Sequence, residues 1–149
     1  MYHFGYGSNL KIDFLKTLIP NAILKMKAYL PNFRVEFRVW SKERNGGIST
    51  IFEAPGELVQ GALYKVAEEE MKALDQMDGI YLGTYKRETF LVLGEDRKWK
   101  KADLYRAIAP KGPFVPSKSY VEIMLEGAHE VALDPDYIEK IQAAYHESQ

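Results

Sequence analysis

Apolar positions along the chain switch repeatedly between two spacings. Tyr2 to Tyr6 reads as a strand that stops abruptly at Gly7-Ser8-Asn9. From Leu10 to Ile19 the spacing becomes helical, with Leu10, Phe14 and Leu18 on one face, Ser8 or Asn9 available as a cap and Pro20 as the stop. Between Ala28 and Trp40, Val35, Phe37 and Val39 alternate with Arg34, Glu36 and Arg38, the pattern of a half-buried strand. Asn45-Gly46-Gly47 predicts a turn. The strand-like runs Ile48 to Phe52 and Leu58 to Val66 are separated by the breaker Ala54-Pro55-Gly56, and the reading is that they pair with each other.

The second half repeats the mixture. Glu68 to Met77 places Met71, Leu74 and Met77 at helical spacing, with three glutamates in the first turn where the helix dipole favours negative charge. Thr84 to Leu93 and Ala102 to Ala109 read as strands joined by Gly94-Glu95-Asp96-Arg97. Pro110, Pro113 and Pro116 bracket a loop, and helices are expected over Lys118 to Glu126 and Pro135 to His146, the latter with Asp134 as N-cap. About six strands linked by short turns, with helices interspersed, predict an α+β domain. Its sheet is expected to be small, mixed and largely antiparallel, curling into a β-barrel with flanking helices. A doubly wound parallel sheet fits worse, because each of its strands needs a long crossover.

Composition narrows the chemistry. At 149 residues and 46% hydrophobic content, a single domain over 1–149 is expected. The 20 basic and 21 acidic side chains are intermixed, so no basic face for nucleic acid stands out. The absence of cysteine removes disulfides, thiolate metal sites and a cysteine nucleophile, and suits a reducing compartment. No apolar run of about 18 residues is present and no basic n-region precedes the first strand, so a cytoplasmic protein without a membrane partner is expected. His3, His129 and His146 share no ligand spacing, which speaks against a metal site. Ser8 lacks the flanking glycines of a nucleophile elbow, and Gly5 and Gly7 begin neither a dinucleotide fingerprint nor a P-loop.

What remains of the opening stretch is a strand running into a tight turn at a helix start, where backbone N–H groups lack intrahelical partners. Gly7 lets a ligand approach the main chain, so the turn is suited to hold a carboxylate or a polarised carbonyl oxygen. On local pattern alone an ordinary capped turn is the favoured explanation, since caps outnumber anion sites.

The stretch FGYGSNL at 4–10 resembles the YGSN signature of the gamma-glutamylcyclotransferase-like proteins. The resemblance continues through GGISTIFEAPGELVQGALYKV (46–66), LDQMDGIYLGTY (74–85) and PSKSYVEIMLEGAHEVALDPDYIEKI (116–141), in the family's order. It implies a small mixed β-barrel and an enzyme that converts a gamma-glutamyl amide to 5-oxoproline and a free amine, with no cofactor. The reaction needs donors for a developing oxyanion, a base for the ammonium and an acid for the leaving nitrogen.

By position, the resemblance implies that His3, Phe4, Gly5, Tyr6, Gly7, Ser8 and Asn9 form the substrate cradle. Tyr120 falls at a substrate-contacting tyrosine, and a core aromatic at a helix start is its alternative. The catalytic carboxyl position is Asp78, where the family typically has glutamate, a side chain longer by about 1.5 Å. Tyr6, Tyr64, Tyr85 and Tyr105 are candidates for a partly apolar surround that raises the proton affinity of that carboxyl group. Asp75, Glu88 and Glu53 rank behind Asp78, and Trp40 to Arg44 and Lys111 to Phe114 are candidate rim segments. The partner is then a small gamma-glutamyl molecule whose leaving group the sequence does not specify, and oligomeric state is open. A barrel that binds a small metabolite without turning it over is the alternative function.

Overall fold

The computed structural model describes residues 1–77 and 83–147, and within them the alternation around Val35 belongs to a strand of 19 residues. The strands are β1 (Tyr2–Gly5), β2 (Ile23–Ser41), β3 (Gly46–Lys65), β4 (Tyr85–Gly94) and β5 (Trp99–Ala107). They close into a barrel in the order β1-β3-β2-β4-β5. A 3-10 turn (Ser8–Leu10) and the helices α1 (Ile12–Leu18), α2 (Glu68–Met77), α3 (Lys118–Glu130) and α4 (Pro135–Glu147) flank it. The α+β barrel expected from the pattern is the observed fold, with five strands among the described residues where about six were expected.

The difference lies at Ala54-Pro55-Gly56. Ile48 to Phe52 and Leu58 to Val66 do not pair with each other. Both belong to β3, which runs antiparallel to β2 from Ile23↔Lys65 to Ser41↔Gly46. The breaker is a bend: register jumps from Pro31↔Leu58 to Phe33↔Glu53, and Asn32 and Gly56 stand at φ 68° and 85°. The Gly56 N–H donates to Asn32 Oδ1 at 3.1 Å, so the irregularity on one strand is satisfied from the other and the ribbon continues. The turn expected at Asn45-Gly46-Gly47 sits slightly earlier, with Asn45 N–H on the Lys42 carbonyl at 3.2 Å and Gly46 already in β3.

The start of the chain also departs from its pattern. Neither Ser8 nor Asn9 caps a helix. The 3-10 turn starts from Gly7 and α1 from Lys11, without a side-chain capping bond at either start. The tighter winding of the 3-10 turn shifts the helical phase, so Leu15 and Ile19 are buried with Leu10, while Phe14 and Leu18 are half-buried. Each fully buried leucine contributes about 1.5–3 kcal/mol.

β1 closes the barrel. It pairs antiparallel with β3 through His3↔Tyr64 and parallel with β5 through His3↔Asp103, so His3 stands on the seam. One core cluster consists of strand residues such as Phe4, Leu30, Val59, Leu63 and Leu104. A second joins helices to strands through Leu15, Met71, Leu74, Met124, Tyr64 and Tyr105. α3 is a turn longer than expected and lies close against the 3-10 turn, since a methyl group on Gly127 would stand 2.4 Å from the Leu10 carbonyl carbon. Its first residues are fixed by Ser117, whose hydroxyl accepts the Tyr120 N–H at 3.3 Å. Asp134 precedes α4, and its carboxylate accepts from Lys27 Nζ at 3.2 Å and Gln60 Nε2 at 3.0 Å. Among the described residues no helix is long and apolar enough to cross a membrane.

Candidate active site

A cavity of about 580 Å³ opens at one end of the barrel. Its wall takes in every residue from His3 to Asn9, together with Tyr120 of α3, Ser49 of β3, Tyr105 of β5 and the turn after β2. The candidate cradle residues, distant from Tyr120 in sequence, therefore share one space with it.

Gly7 occupies the most constrained point of this wall. A Cβ there would lie 2.2 Å from Ser49 Oγ and 2.9 Å from the Tyr120 hydroxyl, distances that a real side chain does not tolerate. The Tyr120 oxygen accepts the Ser49 N–H at 3.2 Å and bonds Ser49 Oγ at 2.7 Å, and the Tyr85 hydroxyl donates to the Ser49 carbonyl at 2.8 Å. The 3-10 turn begins with Leu10 N–H on the Gly7 carbonyl at 3.0 Å. The N–H groups of Gly7, Ser8 and Asn9 precede that first bond and have no place in its ladder. Tyr64 supports the turn from behind, its hydroxyl donating to the Asn9 and Leu10 carbonyls at 2.6 and 3.1 Å. Burial pushes the Tyr64 phenol well above its usual range, so it stays a donor.

His3 and Asn9 form a buried polar chain beside the turn. Nδ1 of His3 is 3.0 Å from the Asp103 carbonyl, which only accepts, so Nδ1 carries the proton. Burial lowers the imidazole pKa to about 4, against the raising effect of that backbone bond, and His3 is neutral at physiological pH. Nε2 is then an acceptor, and it takes the Asn9 Nδ2–H at 3.1 Å. The Tyr6 hydroxyl donates to the Tyr105 carbonyl, tying the end of β1 to β5. Phe4 is fully buried in the strand cluster and presents only part of its surface to the cavity. Of the four candidate tyrosines of the apolar surround, Tyr6, Tyr85 and Tyr105 line the cavity and Tyr64 stands behind it.

The rim of the cavity has a different character. Residues 40–44 line it, as expected for Trp40 to Arg44. The Arg44 guanidinium lies 5.5 Å from the Phe14 ring centre and 5.8 Å from that of Tyr120. Among the described residues no carboxylate pairs with it. Residues 111–114 do not line the cavity. Phe114 backs the rim instead, packing edge-on against Trp40 with ring centres 5.8 Å apart.

Asp78 lies outside the described residues. The chain on either side of it reaches the cavity, since Gln76 and Thr84 both line the wall. The other candidate carboxylates are engaged elsewhere or exposed. Asp75 accepts the Tyr105 hydroxyl at 2.6 Å and lies 3.4 Å from Arg87 Nε, Glu88 pairs with Lys86 at 2.7 Å, and Glu53 is exposed. Sequence reasoning missed Ser49. Its only signal is a small polar residue between Ile48 and Thr50 in a strand, and neighbouring Thr50 has a purely structural bond to the Ala107 N–H at 2.9 Å.

The sequence pattern of the AIG2-like family matches residues 58–141. The gamma-glutamylcyclotransferase of Homo sapiens is 30% identical over 145 residues, covering 95% of this chain and 77% of that protein. The Mus musculus protein of the same name is 29% identical over the same shares. A solved structure described as gamma-glutamyl cyclotransferase superposes with a TM-score of 0.92 at 30% identity, over 96% of this chain and 86% of the other. A yeast cyclotransferase described as specific to glutathione shares the fold at a TM-score of 0.65 and 10% identity.

Proposed function

The chain belongs to the AIG2-like family and its gamma-glutamylcyclotransferase relatives, and from that premise we propose that it cyclises a gamma-glutamyl amide to 5-oxoproline, releasing the free amine. The observation that carries this reading is the Gly7 turn. Its residues line the cavity at a point where Ser49 and Tyr120 leave no room for a side chain. In the proposed reaction the α-amine of the glutamyl group attacks its own γ-carbonyl carbon. A C–N bond forms, the carbonyl oxygen gains negative charge, and the original amide C–N bond then breaks.

The residues divide the work as follows. N–H groups of the Gly7-Ser8-Asn9 turn hold the developing oxyanion in a site already organised before reaction. Tyr120 and Ser49 fix that turn from the side, and Phe4, Gly5 and Tyr6 place it at the end of β1. Asp78 takes a proton from the ammonium and returns one to the leaving nitrogen. Its side chain is shorter than the usual glutamate by about 1.5 Å. Tyr6, Tyr85 and Tyr105 give the cavity wall apolar faces, the kind of surround that a carboxyl group needs if its proton affinity is to approach that of the amine. All these groups belong to the protein, and the chemistry requires no cofactor.

A panel of gamma-glutamyl amides tests this directly. The wild-type chain is expected to release 5-oxoproline from at least one member, and Asp78→Asn to lose that activity while keeping the melting temperature. No turnover across the whole panel overturns the reading in favour of a binding barrel.

A further inference from the structure

Asn9 is more than nine-tenths buried, at 8% exposure, yet it belongs to the cavity wall. Among the described residues, two buried side-chain polar atoms have no hydrogen-bond partner: Asn9 Oδ1 and Arg87 Nη1. Of these two residues only Asn9 lines the cavity. Leaving a buried acceptor unfilled is costly, and such a group in a binding site points to a ligand that fills it.

The orientation of this amide is not free. The Asp103 carbonyl fixes the proton of His3 on Nδ1, so Nε2 offers a lone pair and Asn9 must turn Nδ2 toward it at 3.1 Å. A flipped amide would oppose two acceptors. His3 therefore determines which end of Asn9 is bonded and which is left over. The ring is itself held on the barrel seam, near Tyr64 and Tyr105 with ring centres 6.2 and 5.8 Å away.

We infer that Asn9 Oδ1 is the acceptor for the α-ammonium of the gamma-glutamyl group, and that His3 is a positioning residue that locks this acceptor in place without touching the substrate. The inference rests on the cyclotransferase reading. In that reaction the α-nitrogen must come within bonding distance of the γ-carbon, whose oxygen sits on the turn that contains Asn9. A charged N–H donor is also the partner that best repays a neutral buried acceptor. Because the acceptor is an uncharged amide, it holds one N–H and leaves the lone pair of the deprotonated amine for attack. His3, placed by the resemblance among the substrate-binding residues, acts in this account one step behind them.

L-glutamate and glutarate are suitable probes, since neither carries a leaving group and they differ in the α-ammonium. Calorimetry on the wild-type chain is expected to show L-glutamate binding on the order of 10- to 100-fold more tightly than glutarate, the range of one charge-assisted hydrogen bond. Asn9→Leu and His3→Leu should cut the preference by about that factor, leaving only what Asp78 supplies, and an unchanged preference in a folded Asn9→Leu overturns the inference. His3→Gln, whose amide oxygen can stand in for Nε2, should recover most of it. In wild-type protein, ¹⁵N NMR should show His3 with a bare Nε2, and the Asn9 side-chain amide should move with L-glutamate and not with glutarate. Equal affinity of the two probes, including no binding of either, or an Nε2-protonated His3, overturns the inference even where leucine variants fail to fold. Such a result in a chain that still makes 5-oxoproline leaves the cyclotransferase reading standing, whereas absent turnover refutes that reading first.

Discussion

Two parts of the cavity wall, its floor and its rim, are built by opposite means. The floor, from His3 to Asn9 with Ser49 and Tyr120, is buried except at half-buried Ser8, and its shape is set by backbone and side-chain bonds that close on one another. The rim, residues 40–44, is the end of β2 and the turn that follows it, with Trp40 53% exposed and the Arg44 guanidinium set against aromatic faces. A floor of this kind is organised before substrate arrives and suits the invariant part of a reaction, the glutamyl group and its carbonyl. A rim of flexible side chains suits the variable part, the leaving group. Under the proposed function, the chemistry and the choice of substrate are then separable in this chain.

That separation can be broken at several points, the floor first. Asp78→Asn should reduce turnover by about 10³-fold or more, within the range of general acid–base catalysis, as measured by 5-oxoproline release. Gly7→Ala comes next. Its methyl group must displace Ser49 and Tyr120, with an expected loss of about 10²-fold in kcat/KM and about 1–3 kcal/mol of stability by denaturant titration. Near-normal activity in Gly7→Ala would show that the turn is not the oxyanion site.

His3 makes a pH-dependent contribution. Its folded pKa, about 4, lies below the ordinary histidine value of 6.5, so as pH falls the unfolded chain takes the proton first. Stability should decline between pH 6.5 and about 4 by about 3 kcal/mol and level off below, relative to His3→Gln, which lacks this titration. Parallel pH profiles for the two proteins would contradict a buried neutral His3. Tyr120→Phe leaves the Ser49 N–H and hydroxyl without their partner and should cost about 1–2 kcal/mol in stability and about tenfold in kcat/KM. The smallest effect belongs to the rim. Arg44→Met should leave stability unchanged and lower kcat/KM about tenfold only for substrates whose leaving group carries a carboxylate, a group that guanidinium recognises. An equal loss on neutral leaving groups would mean that rim and floor are coupled.

How much of this was visible in the sequence depends on how local each feature is. The barrel class followed from periodicity, and α2 was placed at its observed limits because three glutamates and an apolar spacing act within one helix. The bend in β3 was misread as the break of a hairpin because Ala54-Pro55-Gly56 looks the same in both, and the deciding contact, Gly56 N–H to Asn32 Oδ1, comes from another strand. Ser8 and Asn9 have good capping chemistry, but Asn9 is drawn away by His3, a competition that only the folded seam creates. That residues 3–9 lie together on one cavity wall was legible through the resemblance of FGYGSNL, whereas the place of Ser49 on it was not, since its contacts exist only where β3, α3 and the turn meet.

The central claim is that the α-nitrogen of the substrate becomes the ring nitrogen of the product. A gamma-glutamyl amide labelled with ¹⁵N at the α-amine tests it by mass spectrometry. The account predicts 5-oxoproline that retains the label, with one equivalent of unlabelled amine released. Labelled glutamate as the product would show hydrolysis by water in place of internal attack, and would contradict it.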